Sequence, residues 1–284
     1  MCLIVFDWDT PKHAGHATEH ALPRNATLVL AANRDEFYRR PSLPMHWWPA
    51  EPDMPDGQLL AGRDRLGGGT WMGITRDGRF AAVTNFRGPP RQTSVPLPSR
   101  GDLVVDFLRG ARLSPLDYLS VVAQRGDQYN GFNLLVGDLF AGELAWYGNK
   151  SDDPPALLAP GVYGLSNALL DTPWPKVIAK KAAMLNRSAE PQALLERLVE
   201  TMRDPTPASD DAIPTTGLTL ERERAFSAAF IETTDYGTRS TAAMDVRADG
   251  AVSVLELSDD EGEGRTRAPP VARRFAFSIE APAA

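Results

Sequence analysis

Cys2-Leu3-Ile4-Val5-Phe6 and Thr27-Leu28-Val29-Leu30-Ala31-Ala32 are two short apolar stretches close to the amino terminus. Both are rich in residues that suit a buried strand. Because they are near one another in sequence, antiparallel pairing across the polar loop between them is the least costly arrangement. Asn33-Arg34-Asp35-Glu36 follows the second stretch directly. The pairing therefore predicts that this polar segment lies beside Cys2.

Strand and helix patterns then alternate in groups along the chain. Arg76-Asp77-Gly78 and Asp249-Gly250 each separate two strand-like stretches, as hairpin turns do. The order is strands, two helices, strands, two helices, strands, and residues 225–233 fall in the last strand group. Helices are predicted over residues 99–108, 114–124, 176–185 and 191–202. Since hairpins imply antiparallel pairing, this order predicts one α+β domain over residues 1–284, a four-layer αββα sandwich.

Composition restricts the class of protein. The chain has 284 residues, of which 43% are hydrophobic and 24% charged, and its formal net charge is −7. An acidic protein of this kind argues against binding to nucleic acid or anionic membranes. No apolar run approaches the roughly 18 residues of a membrane span. With one cysteine and no signal-peptide pattern, the sequence predicts a soluble, cytoplasmic protein.

Cys2 is the first candidate for chemistry. Removal of the initiator methionine, which is normal before a small residue, would leave Cys2 with both a thiol and a free α-amine. An α-amine has an ordinary pKa of roughly 7.7–8.0 and can serve as a base, and the thiol is a strong nucleophile. The alternative is that Cys2 is a small apolar residue at the start of a buried strand.

The polar segment 33–36 also has two interpretations. On a regular strand, alternation places Asn33 and Asp35 on one face and Arg34 and Glu36 on the other. The segment is then either part of a functional site or an ion-pair network at a sheet edge.

Three further residues stand at strand ends. Asn85 and Asn167 each end a predicted strand, where an amide can donate to an oxyanion or can serve as a turn or cap residue. Arg239 lies in the hydroxyl-rich stretch 236–241, where it could hold a carboxylate or be an exposed edge charge.

Metal and nucleotide signals are weak. His13, His16 and His20 lie in one polar loop, but no cysteine or fourth ligand accompanies them. Gly67-Gly68-Gly69-Thr70 lacks the lysine of a phosphate-binding loop. The sequence therefore predicts no metal and no cofactor.

Several of these stretches together resemble the NRDE family, the family of transport and Golgi organization protein 2. The resemblance extends over most of the chain, and it rests on residues 1–4, 31–37, 68–71, 84–87 and 236–240. The family is similar to the N-terminal-nucleophile hydrolases, whose fold is the αββα sandwich. It also implies links to secretory-pathway organisation and to haem or acyl-lipid handling.

The resemblance implies roles for single residues. The cysteine branch of those hydrolases suggests a catalytic set of Cys2, Arg34, Asp35, Asn85 and Asn167, with Asn33 and Arg239 contacting substrate. In this sequence Arg34 and Asp35 are adjacent, whereas the branch spaces its arginine and aspartate apart. Either the chain turns at Asn33, or Arg34 is structural.

Two functions follow from these observations. The first is an amidohydrolase acting on a small acylated amide, in which Cys2 attacks the carbonyl. The second is a non-catalytic protein that binds or transports haem or an acyl-lipid on the same fold. Axial haem ligation would need His13, His16, His20, His46 or a methionine, none of which lies in a recognised motif.

Overall fold

The computed structural model describes residues 2–10, 26–50, 55, 57–88, 96–186, 193–258 and 269–280. Its strands are β1 Cys2–Trp8, β2 Ala26–Phe37, β3 Ser42–Trp47, β4 Leu59–Asp64, β5 Met72–Thr75, β6 Arg79–Asn85, β7 Phe132–Asp138, β8 Glu143–Gly148, β9 Ala156–Leu157, β10 Gly161–Leu165, β11 Tyr236–Arg247, β12 Ala251–Ser258 and β13 Val271–Ser278. Its α-helices are α1 Arg100–Arg109, α2 Pro115–Ala123, α3 Pro175–Leu185, α4 Leu194–Met202 and α5 Leu220–Ser227.

The strands form two antiparallel sheets. The first sheet has the order β10-β1-β2-β11-β12-β13, and the second has the order β3-β4-β5-β6-β7-β8-β9. β1 and β2 pair antiparallel, as predicted. Gly78 and Gly250 have φ values of 86° and 84° in the turns of the two predicted hairpins, a conformation that glycine adopts at no steric cost.

Three buried apolar clusters define the layers. The first lies between the sheets and contains Phe6, Leu30 and Phe80. The second packs α1 and α2 on the outer face of the second sheet, and the third packs α3 and α4 on the outer face of the first. Each sheet thus buries both faces, one against the other sheet and one against helices. This arrangement confirms the predicted αββα sandwich.

The last helix differs from the prediction. Residues 225–233 were predicted to be a strand, but α5 extends to Ser227. Thr219 caps this helix, since its side chain accepts a hydrogen bond from the Arg222 N–H, and Glu221 and Glu223 lie in the first turn. Both features favour a helix start.

The described part of the chain contains no helix that is long and apolar enough to cross a membrane.

Candidate active site

Three strands of the first sheet bring the predicted residues together at one edge of the sandwich. In β1 and β2, Cys2 is directly opposite Arg34, which confirms that the polar segment lies beside Cys2. On the other side of β2, Thr238 of β11 is opposite Asp35. A register shift at Arg239 separates this pair from the next, between Ser240 and Arg34.

Cys2 is buried at the start of β1. Its side chain lines a small space of about 10 Å³ that Trp71 and Ser240 also border. The Ser166 hydroxyl donates a hydrogen bond of 3.1 Å to the Cys2 carbonyl. Burial raises the pKa of the Cys2 thiol, while the positive charge of the amino terminus lowers it. A nearby base is therefore needed to generate the thiolate near neutral pH.

The Asp35 carboxyl group is almost fully enclosed, with 2% of the residue exposed. Its Oδ1 accepts a hydrogen bond of 2.7 Å from the Thr238 hydroxyl. The Tyr236 hydroxyl donates to the Asp35 backbone carbonyl at 2.8 Å. Burial raises the pKa of Asp35, and the charges of the amino terminus and Lys176 lower it. The carboxylate is thus held where it can orient a cationic amine.

Lys176 is a site residue that the sequence reasoning missed. It lies in the first turn of α3, and its Nζ donates to the Phe226 carbonyl at 2.9 Å. Burial lowers the pKa of Lys176 to about 8, against the opposing effect of the Asp35 charge. A lysine in the first turn of a helix opposes the helix dipole, and this was the available signal that it has a specific partner.

Arg34 faces away from Asp35, because β2 continues as a regular strand through Phe37. Its guanidinium lies 4.3 Å from the centroid of the Trp71 ring and 3.1 Å from Asp64 Oδ2. Arg40 donates to the same Asp64 oxygen at 2.6 Å. Of the two alternatives for Arg34, the structure thus favours the structural one, although its charge also lowers the pKa of the Cys2 thiol.

Asn33 points toward the helix layer. Its Nδ2 donates to the carbonyls of Met202 and Ala229, each at 2.8 Å. These acceptors end α4 and precede β11, so the amide ties β2 to the segments that cover it. This position revises the substrate contact predicted for Asn33.

We expect Asn33→Ala to lower the free energy of unfolding by about 3 kcal/mol, because two buried carbonyls lose their donor. Denaturant unfolding monitored by circular dichroism measures this change. The exposed Asn186 at the end of α3 supplies the control, since Asn186→Ala should change stability by less than about 0.5 kcal/mol. Equal effects of the two substitutions would contradict the structural role of Asn33.

Asn85 and Asn167 are neighbours. The Asn167 Nδ2 donates to the Asn85 backbone carbonyl at 3.0 Å, and Ser166 Oγ lies 3.3 Å from Asn167 Oδ1. Since Ser166 also bonds the Cys2 carbonyl, the pair is linked to the start of β1. The Asn85 side chain forms no hydrogen bond with the described residues and lines a large cavity. Its amide is therefore available to a ligand.

That cavity has a volume of about 1170 Å³. Its wall combines the end of β2, the segment after β6, the start of α1, α5 and the segment before β11. Aromatic and charged side chains alternate in the lining, which includes Phe37, Phe86, Phe226, Tyr236, Arg40, Arg87, Arg100, Lys150, Glu36 and Glu221. A space of this size and mixed character suits an amphipathic small molecule.

Comparisons with known proteins agree with this arrangement of motifs. A family model described as Transport and Golgi organisation 2 matches residues 1–259. The chain belongs to the Transport and Golgi organisation 2 family. It is 36% identical to the Transport and Golgi organization protein 2 homolog of Bos taurus and 35% identical to that of Homo sapiens. Both alignments cover 91% of this chain and 93% of the relative.

Solved structures with a similar arrangement are more distant. The penicillin V acylase from Agrobacterium tumefaciens is 12% identical with a TM-score of 0.39, and the match covers 97% of this chain and 86% of the acylase. The Caenorhabditis elegans ortholog of N-acylethanolamine-hydrolyzing acid amidase is 8% identical with a TM-score of 0.43. That match covers 86% of this chain and 92% of the amidase. The assignment to the Transport and Golgi organisation 2 family rests on the sequence matches.

In this family member residues 236–240, at the start of β11, contact the turn that follows β2. Arg239 Nη1 donates to the carbonyls of Phe37, Tyr38 and Arg40 at 3.1–3.3 Å. At Gly237, a Cβ atom would lie 2.2 Å from the Tyr38 hydroxyl, so only glycine fits. Arg239 is therefore engaged by backbone carbonyls and does not line the large cavity, which revises its predicted contact with a substrate carboxylate.

His46 is the histidine that the structure describes, and it belongs to no group of described side chains that could bind a metal ion. His46 Nδ1 lies 2.8 Å from the Pro44 carbonyl, and its ring stacks on Trp48 with centroids 6.5 Å apart. His13, His16 and His20 lie outside the described residues. Within the described part of the chain, no group of three or more histidine, cysteine or carboxylate side chains could hold a metal ion.

Proposed function

We propose that this protein is an amidohydrolase that acts on a small acylated amide, with Cys2 as the nucleophile. The observation that carries the proposal is that Cys2 and Asp35 lie on neighbouring strands, while Ser166 links the Cys2 carbonyl to the Asn85–Asn167 pair, of which Asn85 lines the large cavity. A thiol, a buried carboxylate and a free amide donor are the groups that acyl transfer requires. Since the reaction needs Cys2 as a free thiol, we also infer a reducing, cytoplasmic location.

In the first step the Cys2 sulfur attacks the carbonyl carbon of the amide. The α-amine of Cys2, free once Met1 is removed, accepts the thiol proton and passes it to the leaving nitrogen. The C–N bond then breaks, the amine departs, and a thioester links the acyl group to Cys2. Water hydrolyses the thioester, which releases the carboxylic acid and restores the thiol.

Asp35 and the asparagines assist at different points. Asp35 orients the protonated α-amine of Cys2, because its buried carboxylate lies close enough for its charge to act on the Cys2 thiol. The Asn85 amide donates to the oxyanion of the tetrahedral intermediate. Asn167 holds Asn85 in place through the Asn85 carbonyl. Arg34 acts from a distance, since its positive charge stabilises the thiolate.

The acyl portion of the substrate is assigned to the apolar part of the cavity. Phe86, Leu218 and Phe226 line it, and their side chains would bury a hydrocarbon chain at roughly 0.8 kcal/mol per CH₂ group.

Removal of Met1 is the first test of this mechanism. A retained Met1 would acylate the α-amine of Cys2 and abolish its function as a base. We expect the intact mass of active protein to lack methionine. A preparation in which Met1 is retained, because the methionine aminopeptidase is inhibited during expression, should hydrolyse N-acyl amides at least about a hundredfold more slowly. Full activity with methionine still attached would exclude Cys2 as its own base.

One observation favours the alternative of a binding or transport protein. Cys2 borders only the small space beside Trp71, whereas the large cavity is bounded by Asn85 and Tyr236. A carrier would need the cavity and not the thiol. The described residues that line the cavity include no histidine, methionine or cysteine, and the hydroxyl of Tyr236 already donates to the Asp35 carbonyl, so the lining suits an acyl-lipid better than axially ligated haem. Substitution of Cys2, described in the Discussion, separates the two functions.

A further inference from the structure

Arg100 is the first residue of α1 and lines the large cavity. Its Nη1 donates to the Gly131 carbonyl at 3.0 Å. The helix start is fixed in position, because Ser99 caps it and Gly69 packs against the Gly101 backbone so closely that a Cβ atom would lie 2.7 Å from Gly101 C. The guanidinium is therefore presented from a rigid element.

Arg100 differs from two other arginines that line the cavity in that it has no ion-pair partner among the described residues. Arg40 forms an ion pair with Asp64 at 2.6 Å, and Arg87 forms one with Glu223 at 2.8 Å. Among the described residues no carboxylate lies within ion-pair distance of Arg100. A guanidinium has five N–H donors, and the Gly131 carbonyl is the only described acceptor for them.

Lys150 lies next to this group. Its side chain passes over Gly131, since a Cβ atom built on that glycine would lie 3.5 Å from Lys150 Cε. Lys150 also lines the cavity and forms no ion pair with a described carboxylate. The Arg100 guanidinium therefore lies at the Gly131 carbonyl, and the Lys150 side chain lies beside the Gly131 α-carbon.

We propose that Arg100 and Lys150 form an anion-binding subsite of the cavity, which selects ligands that carry a carboxylate or phosphate group. A half-buried guanidinium without an ionic partner, open to a cavity, is the group that such an anion would pair with, and bidentate pairing gives it geometric specificity.

The position of the anion on the substrate follows from the proposed function, on which this step rests. Arg100 lines the same cavity as Asn85, the proposed oxyanion donor, and burial lowers the pKa of its guanidinium while the charges of Cys2 and of cavity-lining Glu36 raise it. With the acyl chain against the apolar lining, an anion at Arg100 belongs to the amine portion, close to the scissile nitrogen. The substrate class is then an N-acyl derivative of a short anionic amine.

Calorimetric titration of the Cys2→Ala protein tests the subsite without turnover. The probes are N-dodecanoylglycine, neutral N-dodecanoylethanolamine and the phosphate monoester of the latter. We expect at least one anionic probe to bind about tenfold more tightly than the neutral one, the effect of a charge-assisted hydrogen bond. The tighter of the two anions identifies the head group.

Adding Arg100→Gln should bring the anionic and neutral probes within threefold of one another. Arg65→Gln removes the same charge from an exposed residue outside the cavity lining and should leave the preference intact. Arg100→Lys, which retains the charge, should keep part of the preference and serves if the glutamine variant does not fold.

Equal affinity for all three probes, or a preference that survives Arg100→Gln, would overturn the subsite. If Arg65→Gln reduces the preference for anionic probes as much as Arg100→Gln does, the preference arises from the overall charge of the protein. That result would also overturn the subsite. If the anionic preference depends on Arg100 while the wild-type protein hydrolyses none of the probes, the subsite stands and the proposed hydrolase fails.

Discussion

Cys2→Ala should reduce amide hydrolysis by several orders of magnitude while the protein remains folded. The substitution removes the sulfur that forms the thioester, and no other cysteine is present in the chain. The change in side-chain volume at the start of β1 is small, so we expect a loss of only about 1 kcal/mol in the free energy of unfolding. Turnover, thermal midpoint and ligand affinity are measured on the same preparations.

Cys2→Ser makes this test more discriminating. Serine retains an attacking oxygen, but a far weaker one, so hydrolysis should again fall by orders of magnitude. Ligand affinity should stay within a few fold in both variants, because Cys2 does not line the large cavity. A carrier would show wild-type binding and delivery in both. Unchanged turnover in Cys2→Ala would end the hydrolase interpretation.

Asp35→Asn should lower kcat by at least about a hundredfold, the contribution typical of a group that supports proton transfer. The amide is nearly isosteric and can still accept the Thr238 hydrogen bond at the Oδ1 position. The substitution removes the negative charge that raises the pKa of Lys176 and that acts on the Cys2 thiol. Steady-state kinetics over pH 6–9 measure the loss.

The matched control is Asp106→Asn, which removes the same charge from an exposed position on α1. Its kcat should stay within about twofold of wild type, as is usual for surface substitutions. If Asp35→Asn behaves like this control while its thermal midpoint falls, Asp35 is a structural residue and not part of the catalytic set.

The layered fold could be predicted from the sequence because it follows from local patterns. Two apolar strands near the amino terminus and two hairpin turns suffice to imply antiparallel sheets, and the helix pairs between them imply outer layers. The helix at Leu220–Ser227 was not predicted, because its low hydrophobicity gave no clear periodicity, and its start depends on capping by Thr219.

The site was predictable only in part. Strand alternation correctly separates Asn33 and Arg34 onto opposite faces of β2, but it does not say what each face meets. The acceptors of Asn33 lie 169 and 196 residues away in the chain. The same applies to Arg239, whose carbonyl acceptors lie 199–202 residues away in the chain. No local pattern reports contacts of this kind.

Lys176 and Arg100 were missed for a related reason. Each stands at the start of an ordinary amphipathic helix, and its importance depends on what the first sheet or the cavity places opposite it. Only packing of α1 and α3 against the sheets reveals that Lys176 is buried within the electrostatic range of Asp35 and that Arg100 lines the cavity.

The intact mass of the protein during turnover tests the central claim most directly. Methionine-free protein is mixed with an N-acyl amide, quenched in acid within the first turnovers, and analysed whole and after peptide mapping. We predict a mass increase equal to the acyl group less one hydrogen, located on Cys2 and absent in Cys2→Ala. Sustained turnover with no adduct, or with an adduct on another residue, would contradict Cys2 as the nucleophile.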